Sequence, residues 1–226
     1  MTKRIAVLHT SFVFVSVEPI INELLAEMIP DAEIVHFVDS DVLATVVREN
    51  GISDSSAERM VHLAEAAEAA GVDVIFSACS SLGPALDVAA ERVHTPIVKI
   101  DDAMTRLAAE TADRVGILAT VPTTLAPTAD LVARHARDLG RDVTITTRLA
   151  DGAFDTLMSG DRETHDAMVL EQATALAADV DVIVLAQASM SRLAERIEEA
   201  AGVPVLSSPR LGIGQLADRV HDAAAR

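Results

Sequence analysis

The chain has 226 residues, half of them apolar, with a formal charge of −17, a single cysteine and neither Trp nor Tyr. That length supports one large domain or two small ones with separate cores, and the ordinary charged fraction of 23% argues against intrinsic disorder. An acidic chain without stacking aromatics repels a phosphate backbone and offers bases no platform, which excludes nucleic acid as a partner.

In chain order, short apolar β-rich runs alternate with longer Ala/Glu/Arg segments. Arg4–Ser11 reads as a buried strand, Glu18–Met28 as a helix, Glu33–Val38 as a strand, and Ser56–Ala70 as an amphipathic helix closed by Gly71. Val72–Ala78 is a strand, Leu82–Arg92 a helix and Pro96–Ile100 a strand. The pattern then restarts. Arg114–Thr120 is a strand, Thr124–Leu139 a helix closed by Gly140, Val143–Leu149 a strand and Arg162–Ala178 a helix. Val180–Ala186 is a strand, Ser191–Ala201 a helix closed by Gly202, Pro204–Ser207 a strand and Gly212–Ala225 a terminal helix. Continuous apolar strands alternating with helices predict an α/β fold with parallel sheets covered on both faces.

The second half repeats the first. Asp73-Val74-Ile75-Phe76-Ser77-Ala78-Cys79-Ser80-Ser81 matches Asp181-Val182-Ile183-Val184-Leu185-Ala186-Gln187-Ala188-Ser189 at an offset of 108, with five of nine positions identical. Pro96 matches Pro204 in the same register, and Arg4–Leu8 matches Arg114–Leu118 at an offset of 110. A unit this long is no solenoid repeat. It predicts two pseudo-symmetric Rossmann-like lobes: residues 1–105 with 210–226 as the first, carrying Cys79, and 106–209 as the second, carrying Gln187. A cleft between them, lined by the carboxyl ends of the strands, is the expected ligand site.

Cys79 falls between a buried strand and a helix. Ser80 or Ser81 suits the N-cap and Pro84 the first turn. The positive end of such a helix favours a thiolate, which acts as nucleophile or as base toward a carbon acid. The competing reading is a small buried hydrophobe. Backbone amides near Ser80, Ser81 and Ser189 suit a carboxylate, and the serines equally suit helix capping. Thr120, Thr123 and Thr124 follow the strand that opens the second lobe, where His9-Thr10-Ser11 stands in the first. His9 reads as an acid/base or as a residue packed inside its strand. Lys99 reads as a carboxylate binder or a surface lysine. The remaining histidines show no metal-ligand spacing, and no phosphate-binding glycine motif follows a strand, so neither metal nor organic cofactor is expected. No run reaches the length of a membrane span, the N-terminal residues show no signal-peptide layout, and a lone cysteine forms no internal disulfide. A cytoplasmic protein without membrane partners is the expectation.

Three segments, Phe76–Pro84, Val115–Thr124 and Val182–Met190, resemble the aspartate/glutamate racemase superfamily, and the resemblance covers nearly the whole chain. It implies two pseudo-symmetric lobes with the active site between them, no cofactor, a small carboxylic-acid substrate and a homo-oligomer. It further implies two cysteines, one per lobe, that remove and return the proton α to a carboxylate. Cys79 fits the first position. The second falls at Gln187 or beside it, the chain has no other cysteine, and glutamine has no proton of useful pKa. The implied activity is therefore a racemase or isomerase using a single thiolate, with Ser11, Ser80, Ser81, Thr120, Thr123, Thr124, Gln187 and Ser189 around the substrate. His9 or Ser189 is the candidate second acid/base. A decarboxylase of malonate-like acids and a non-catalytic binder of small carboxylates are the alternatives.

Overall fold

The computed structural model describes residues 2–12, 15 and 19–224. The chain divides into two compact units. One runs up to Ile100 and resumes at Pro209, and the other is Asp101–Ser208.

The first unit is built on β1 (Arg4–His9), β2 (Glu33–Val38), β3 (Val74–Ser77) and β4 (Ile97–Lys99). Its helices are α1 (Ile20–Met28), α2 (Val42–Glu49), α3 (Asp54–Ala69) and α4 (Gly83–Ala90). The second unit is built on β5 (Arg114–Ala119), β6 (Thr144–Leu149), β7 (Val182–Leu185) and β8 (Val205–Ser207). Its helices are α5 (Asp102–Thr111), α6 (Leu125–Asp138), α7 (Ala153–Met158), α8 (Arg162–Ala177) and α9 (Ala194–Ala201). A last helix, α10 (Ser208–Ala224), returns to the first unit. The helix that follows each four-stranded sheet in the chain thus belongs to the other unit.

Both sheets are parallel, and their strand orders correspond: β2-β1-β3-β4 and β6-β5-β7-β8. The repeat extends to single hydrogen bonds. Asp73 N donates to Arg4 O and Asp181 N to Arg114 O, each at 2.8 Å. Ile75 N donates to Pro96 O and Ile183 N to Pro204 O, each at 2.9 Å. Capping repeats as well. Ser53 caps α3 through Ser56 N, and Asp161 caps α8 through Thr164 N, again 108 residues on.

The pleat sorts the cores. In the first unit Ala6, Leu8 and Ile75 face Met60, Val61 and Ala64 of α3 and Leu86 of α4. In the second, Leu118, Ile183 and Leu185 face Val169, Ala173 and Leu176 of α8. Gly116 lets α8 approach β5, since a Cβ there would lie 2.9 Å from Leu176 Cδ2.

The parallel sheets and the strand positions follow the sequence reading. Several ends shift. β1 stops at His9, and Thr10 and Ser11 lie in the bend beyond it. α1 begins at Ile20; Glu18, where the sequence placed its start, lies outside the described residues, as does Ala225 at the far end of α10. The segment read as a helix from Ser191 begins as a 3-10 turn, Ala188–Leu193, before α9. α10 starts at Ser208, ahead of Gly212. The short helices α2, α5 and α7 were absent from the sequence reading. α2 is rich in β-branched residues, which disfavour a helix locally, and the burial of Val42, Thr45 and Val46 overrides that preference. α7 is a six-residue helix entered through Gly152 at φ 75°, too short to show a period.

Candidate active site

At the carboxyl end of the first sheet, Ala78 N donates to Leu8 O at 3.1 Å, which carries the β1–β3 pairing one step past the strand. Cys79 follows. It is partly exposed and packs against the cluster that contains Ile75, Leu82 and Leu86. The chain then turns, with Gly83 N donating to Ser80 O at 3.2 Å, and α4 begins with Pro84 in its first turn. The helix cap is Leu82, without a side-chain cap. The N-cap position thus falls on Leu82, one residue beyond Ser81, because the turn at Gly83 moves the helix start past both serines. Cys79 therefore precedes the start of α4 by four residues, and the amides of Gly83, Ala85 and Leu86 in that first turn already donate to Ser80 O and Leu82 O.

Around it, Ser77 is fully buried, and its hydroxyl has no hydrogen-bond partner among the described residues. Lys99 is 13% exposed and forms an ion pair with Asp87 at 2.7 Å, so its charge is already matched inside the unit. Ser11 is partly exposed in the bend after β1. His9 is 2% exposed, and its Nε2 lies 2.9 Å from Nδ1 of His36 on β2. Burial, with the neighbouring His36 as a smaller contribution, lowers the His9 pKa from 6.5 to about 4. His9 is thus neutral near pH 7. By the pleat it lies on the face opposite Ala6, Leu8 and Ile75, whereas Cys79 packs with those residues.

The second sheet carries a different set at the corresponding end. Gln187 Oε1 accepts from Thr120 N at 2.6 Å and from Thr120 Oγ1 at 3.2 Å. The amide that stands where Cys79 stands in the first unit thus ties the ends of β5 and β7 together. Thr124 is buried, and its Oγ1 donates to Val121 O at 2.7 Å; it occupies the cap of α6 without a side-chain cap bond. Thr123 Oγ1 is buried and has no partner among the described residues. Ser189 is partly exposed in the 3-10 turn, whose side chains Met190 and Leu193 enter the core.

Four residues to which the sequence reading gave no role in a site stand out: His36 and His165, read only as histidines without metal-ligand spacing, and Asp166 and Arg192. His165 Nδ1 lies 2.8 Å from Asp166 Oδ1. Arg192, on the 3-10 turn, donates to both oxygens of Asp166 at 2.6 and 2.5 Å. The guanidinium holds the Asp166 carboxyl below its ordinary pKa. The signal in the sequence was a His-Asp pair one turn into a helix, which is unremarkable until burial is known. Among the described residues no three His, Cys, Asp or Glu side chains gather closely enough to hold a metal ion.

Comparison with known proteins completes the picture. Residues 15–216 match the family described as Asp/Glu/Hydantoin racemase. A hydantoin racemase from Rhizobium meliloti is 30% identical over 145 residues, covering 62% of this chain and 56% of that protein. The match therefore spans just over half of that relative's length. Glutamate racemase from Francisella tularensis in complex with D-glutamate superposes with a TM-score of 0.77 at 14% identity, over 99% of this chain and 82% of that one. A mutant of arylmalonate decarboxylase superposes with a TM-score of 0.60 at 19% identity, over 96% of this chain and 92% of that one. At these identities the two structures establish the fold alone.

Proposed function

The chain belongs to the Asp/Glu/Hydantoin racemase family, and from that premise we propose that it is a cofactor-independent racemase or isomerase whose proton-transferring thiol is Cys79. The observation that carries this reading is the contrast at equivalent strand ends. Cys79 is partly exposed ahead of α4, while Gln187 is occupied by Thr120. The substrate is a small carbon acid with its acidic C–H beside a carboxylate or a hydantoin carbonyl. The thiolate takes that proton, and the electron pair of the C–H bond moves into the neighbouring carbonyl as an enolate. Ser11, Ser80 and Ser81 in the same unit supply hydroxyls and backbone N–H groups to the anion. Gln187 holds the Thr120 amide in place. This reading assigns His9 a structural role, because a neutral imidazole tied to His36 is a weak acid near pH 7.

The test is proton NMR in D₂O with aspartate, glutamate, 5-substituted hydantoins, maleate and arylmalonates, and with Cys79→Ala alongside. Deuterium uptake at the α-carbon, or a cis–trans change, that disappears in Cys79→Ala is the expected result. Cys79-dependent loss of CO₂ without exchange of an α-proton would move the assignment to a decarboxylase. Ligand-induced shifts with no turnover anywhere in the panel would replace the enzyme reading with a carboxylate-binding protein.

A further inference from the structure

A base toward a carbon acid must first be a thiolate, and the unit that carries Cys79 also holds an ion pair beside it. Lys99 ends β4 in parallel register with Ser77 of β3. Ile100 N donates to Ser77 O at 3.0 Å, so the two strands stay paired up to the peptide that leads into Ala78 and Cys79. Two residues earlier, the register pair Ile75 and Ile97 packs in the cluster that also takes Cys79. Side chains alternate along a strand, so Ser77, Lys99 and Cys79 share that face. Neighbouring strands lie about 4.8 Å apart and two strand residues span about 6.6 Å, which puts the Cα atoms of Lys99 and Cys79 about 8 Å from one another.

The lysine lies across the turn that follows the thiol. A Cβ on Gly83 would meet Lys99 Cδ at 3.9 Å, so the stem crosses the first residue of α4. Lys99 Nζ then donates to Asp87 Oδ1 at 2.7 Å. Asp87 stands four helix residues beyond Gly83, about 6 Å farther along α4. The Lys99 side chain is 13% exposed and that of Asp87 44%, so the positive end of the pair is the buried one. The other charges on the elements around this face are engaged or distant. On α3, Arg59 holds Asp39, Glu58 holds Arg92, His62 meets Glu65, Glu68 accepts from Thr95, and Asp54 is exposed. Arg4 and Glu33 pair at the far ends of β1 and β2, His9 and His36 meet on the opposite face, and Arg48, Glu49 and Glu91 are exposed. In the second unit the offset of 108 puts Ser207, Glu195 and Ser191 at Lys99, Asp87 and Gly83, and Gln187 at Cys79. The lysine clamp is thus present only where the thiol is.

We propose that Lys99 is a positioning residue for Cys79: its buried ammonium favours the thiolate, and its bond to Asp87 clamps the turn Ser80–Gly83 that holds the sulfur in place. The inference rests on the reading of Cys79 as the proton-transferring thiol. A cation beside a cysteine favours the charged form. Asp87 opposes that field from farther out, so the net effect at the sulfur is positive and moderated. When the thiolate takes a proton from carbon its charge disappears, and the ammonium still has Asp87 as its partner. The ion pair therefore need not break in either direction of proton transfer.

The test follows the ultraviolet absorbance of the thiolate against pH in the wild-type protein, Lys99→Met, Asp87→Asn, the double variant and Lys99→Arg. The chain has one cysteine and neither Trp nor Tyr, so the signal belongs to Cys79. Methionine keeps an unbranched stem over Gly83 and deletes the charge. Lys99→Met should raise the titration midpoint by about one pH unit, and Asp87→Asn should lower it. The double variant should fall between the two, and Lys99→Arg should stay close to wild type. Both single variants break the same ion pair, so a mere brace would move the midpoint one way in both. Shifts of the same sign, or an unmoved midpoint in Lys99→Met, would overturn the proposal. On the acid that the wild-type protein turns over, Lys99→Met should exchange deuterium about tenfold more slowly below the midpoint and recover above it. A loss that persists at high pH would also overturn the charge role. Opposite shifts in a protein that exchanges no deuterium across the whole panel would sink the racemase reading and leave the effect of Lys99 on the thiol standing.

Discussion

At corresponding strand ends the first unit carries Cys79 and a buried His9–His36 pair, and the second carries Gln187, Thr120 and the His165–Asp166–Arg192 cluster. The scaffold beneath them is the same, from strand order to helix caps. Duplicated architecture thus constrains sheets, crossovers and caps, while the residues just past β1, β3, β5 and β7 are free to diverge. The proposed chemistry uses residues where the repeat breaks.

That comparison can be broken or sharpened by substitution. The largest effect is expected where α10 closes the first unit. A Cβ on Gly212 would lie 2.3 Å from the Ile100 carbonyl oxygen, whereas the equivalent position in α5 holds Met104, fully buried. Gly212→Ala should cost more than about 3 kcal/mol in urea unfolding, beyond the usual range for overpacking. A loss below about 1 kcal/mol would show that α10 shifts easily off the first sheet.

The next effect concerns pH. The folded pKa of His9 is about 4, below the ordinary 6.5, chiefly through burial. Between those values the unfolded chain binds more protons than the folded one. Stability from neutral His9 is therefore complete above pH 6.5 and falls as the pH drops toward 4, by on the order of 3 kcal/mol. Asp39, Asp73 and Asp166 have lowered pKa values, so their contributions are lost only at lower pH. Melting temperatures measured from pH 7 to pH 4.5 should fall in the wild-type protein and much less in His9→Leu. Equal slopes would show that His9 is not the titrating group.

Smaller again is Gly116→Ala. The equivalent residue in the first unit is Ala6, so the repeat alone predicts tolerance, whereas the 2.9 Å approach to Leu176 predicts a cost of about 1–3 kcal/mol. Partial recovery in Gly116→Ala with Leu176→Val would confirm that α8 is the obstacle. Smallest are the caps. Ser53→Ala should lose about 1 kcal/mol, and Asp161→Ala should lower the melting temperature in the same direction. A neutral Asp161→Ala would separate the two units at the one feature where they look most alike.

The strands were legible because each is a short apolar run bounded by a turn, and the repeat register matched the strand ends of one unit to those of the other. Gly71, Gly140 and Gly202 marked helix ends correctly, at φ 70°, 66° and 70°. What escaped was decided by tertiary packing. The β-branched α2 is helical only because its Val42–Val46 face is buried. Ser80 and Ser81 looked like caps, but the turn at Gly83 moved the helix start past them. His165 gave no signal, since a histidine beside an aspartate is common and only its burial with an unpaired Nε2 sets it apart. Gln187 was visible as the departure from two thiols, but its bond to the Thr120 amide was not, because β5 and β7 lie far apart in the chain.

The central claim is that Cys79, and not the residue equivalent to it in the second unit, carries the α-proton. The most direct measurement is the rate of deuterium uptake in D₂O by Cys79→Ser beside Gln187→Ala, on the same substrate. The account predicts a loss of about a thousandfold or more in Cys79→Ser and about tenfold or less in Gln187→Ala, whose damage is limited to a loosened Thr120. Undiminished exchange in Cys79→Ser, or an equal collapse in Gln187→Ala, would contradict it.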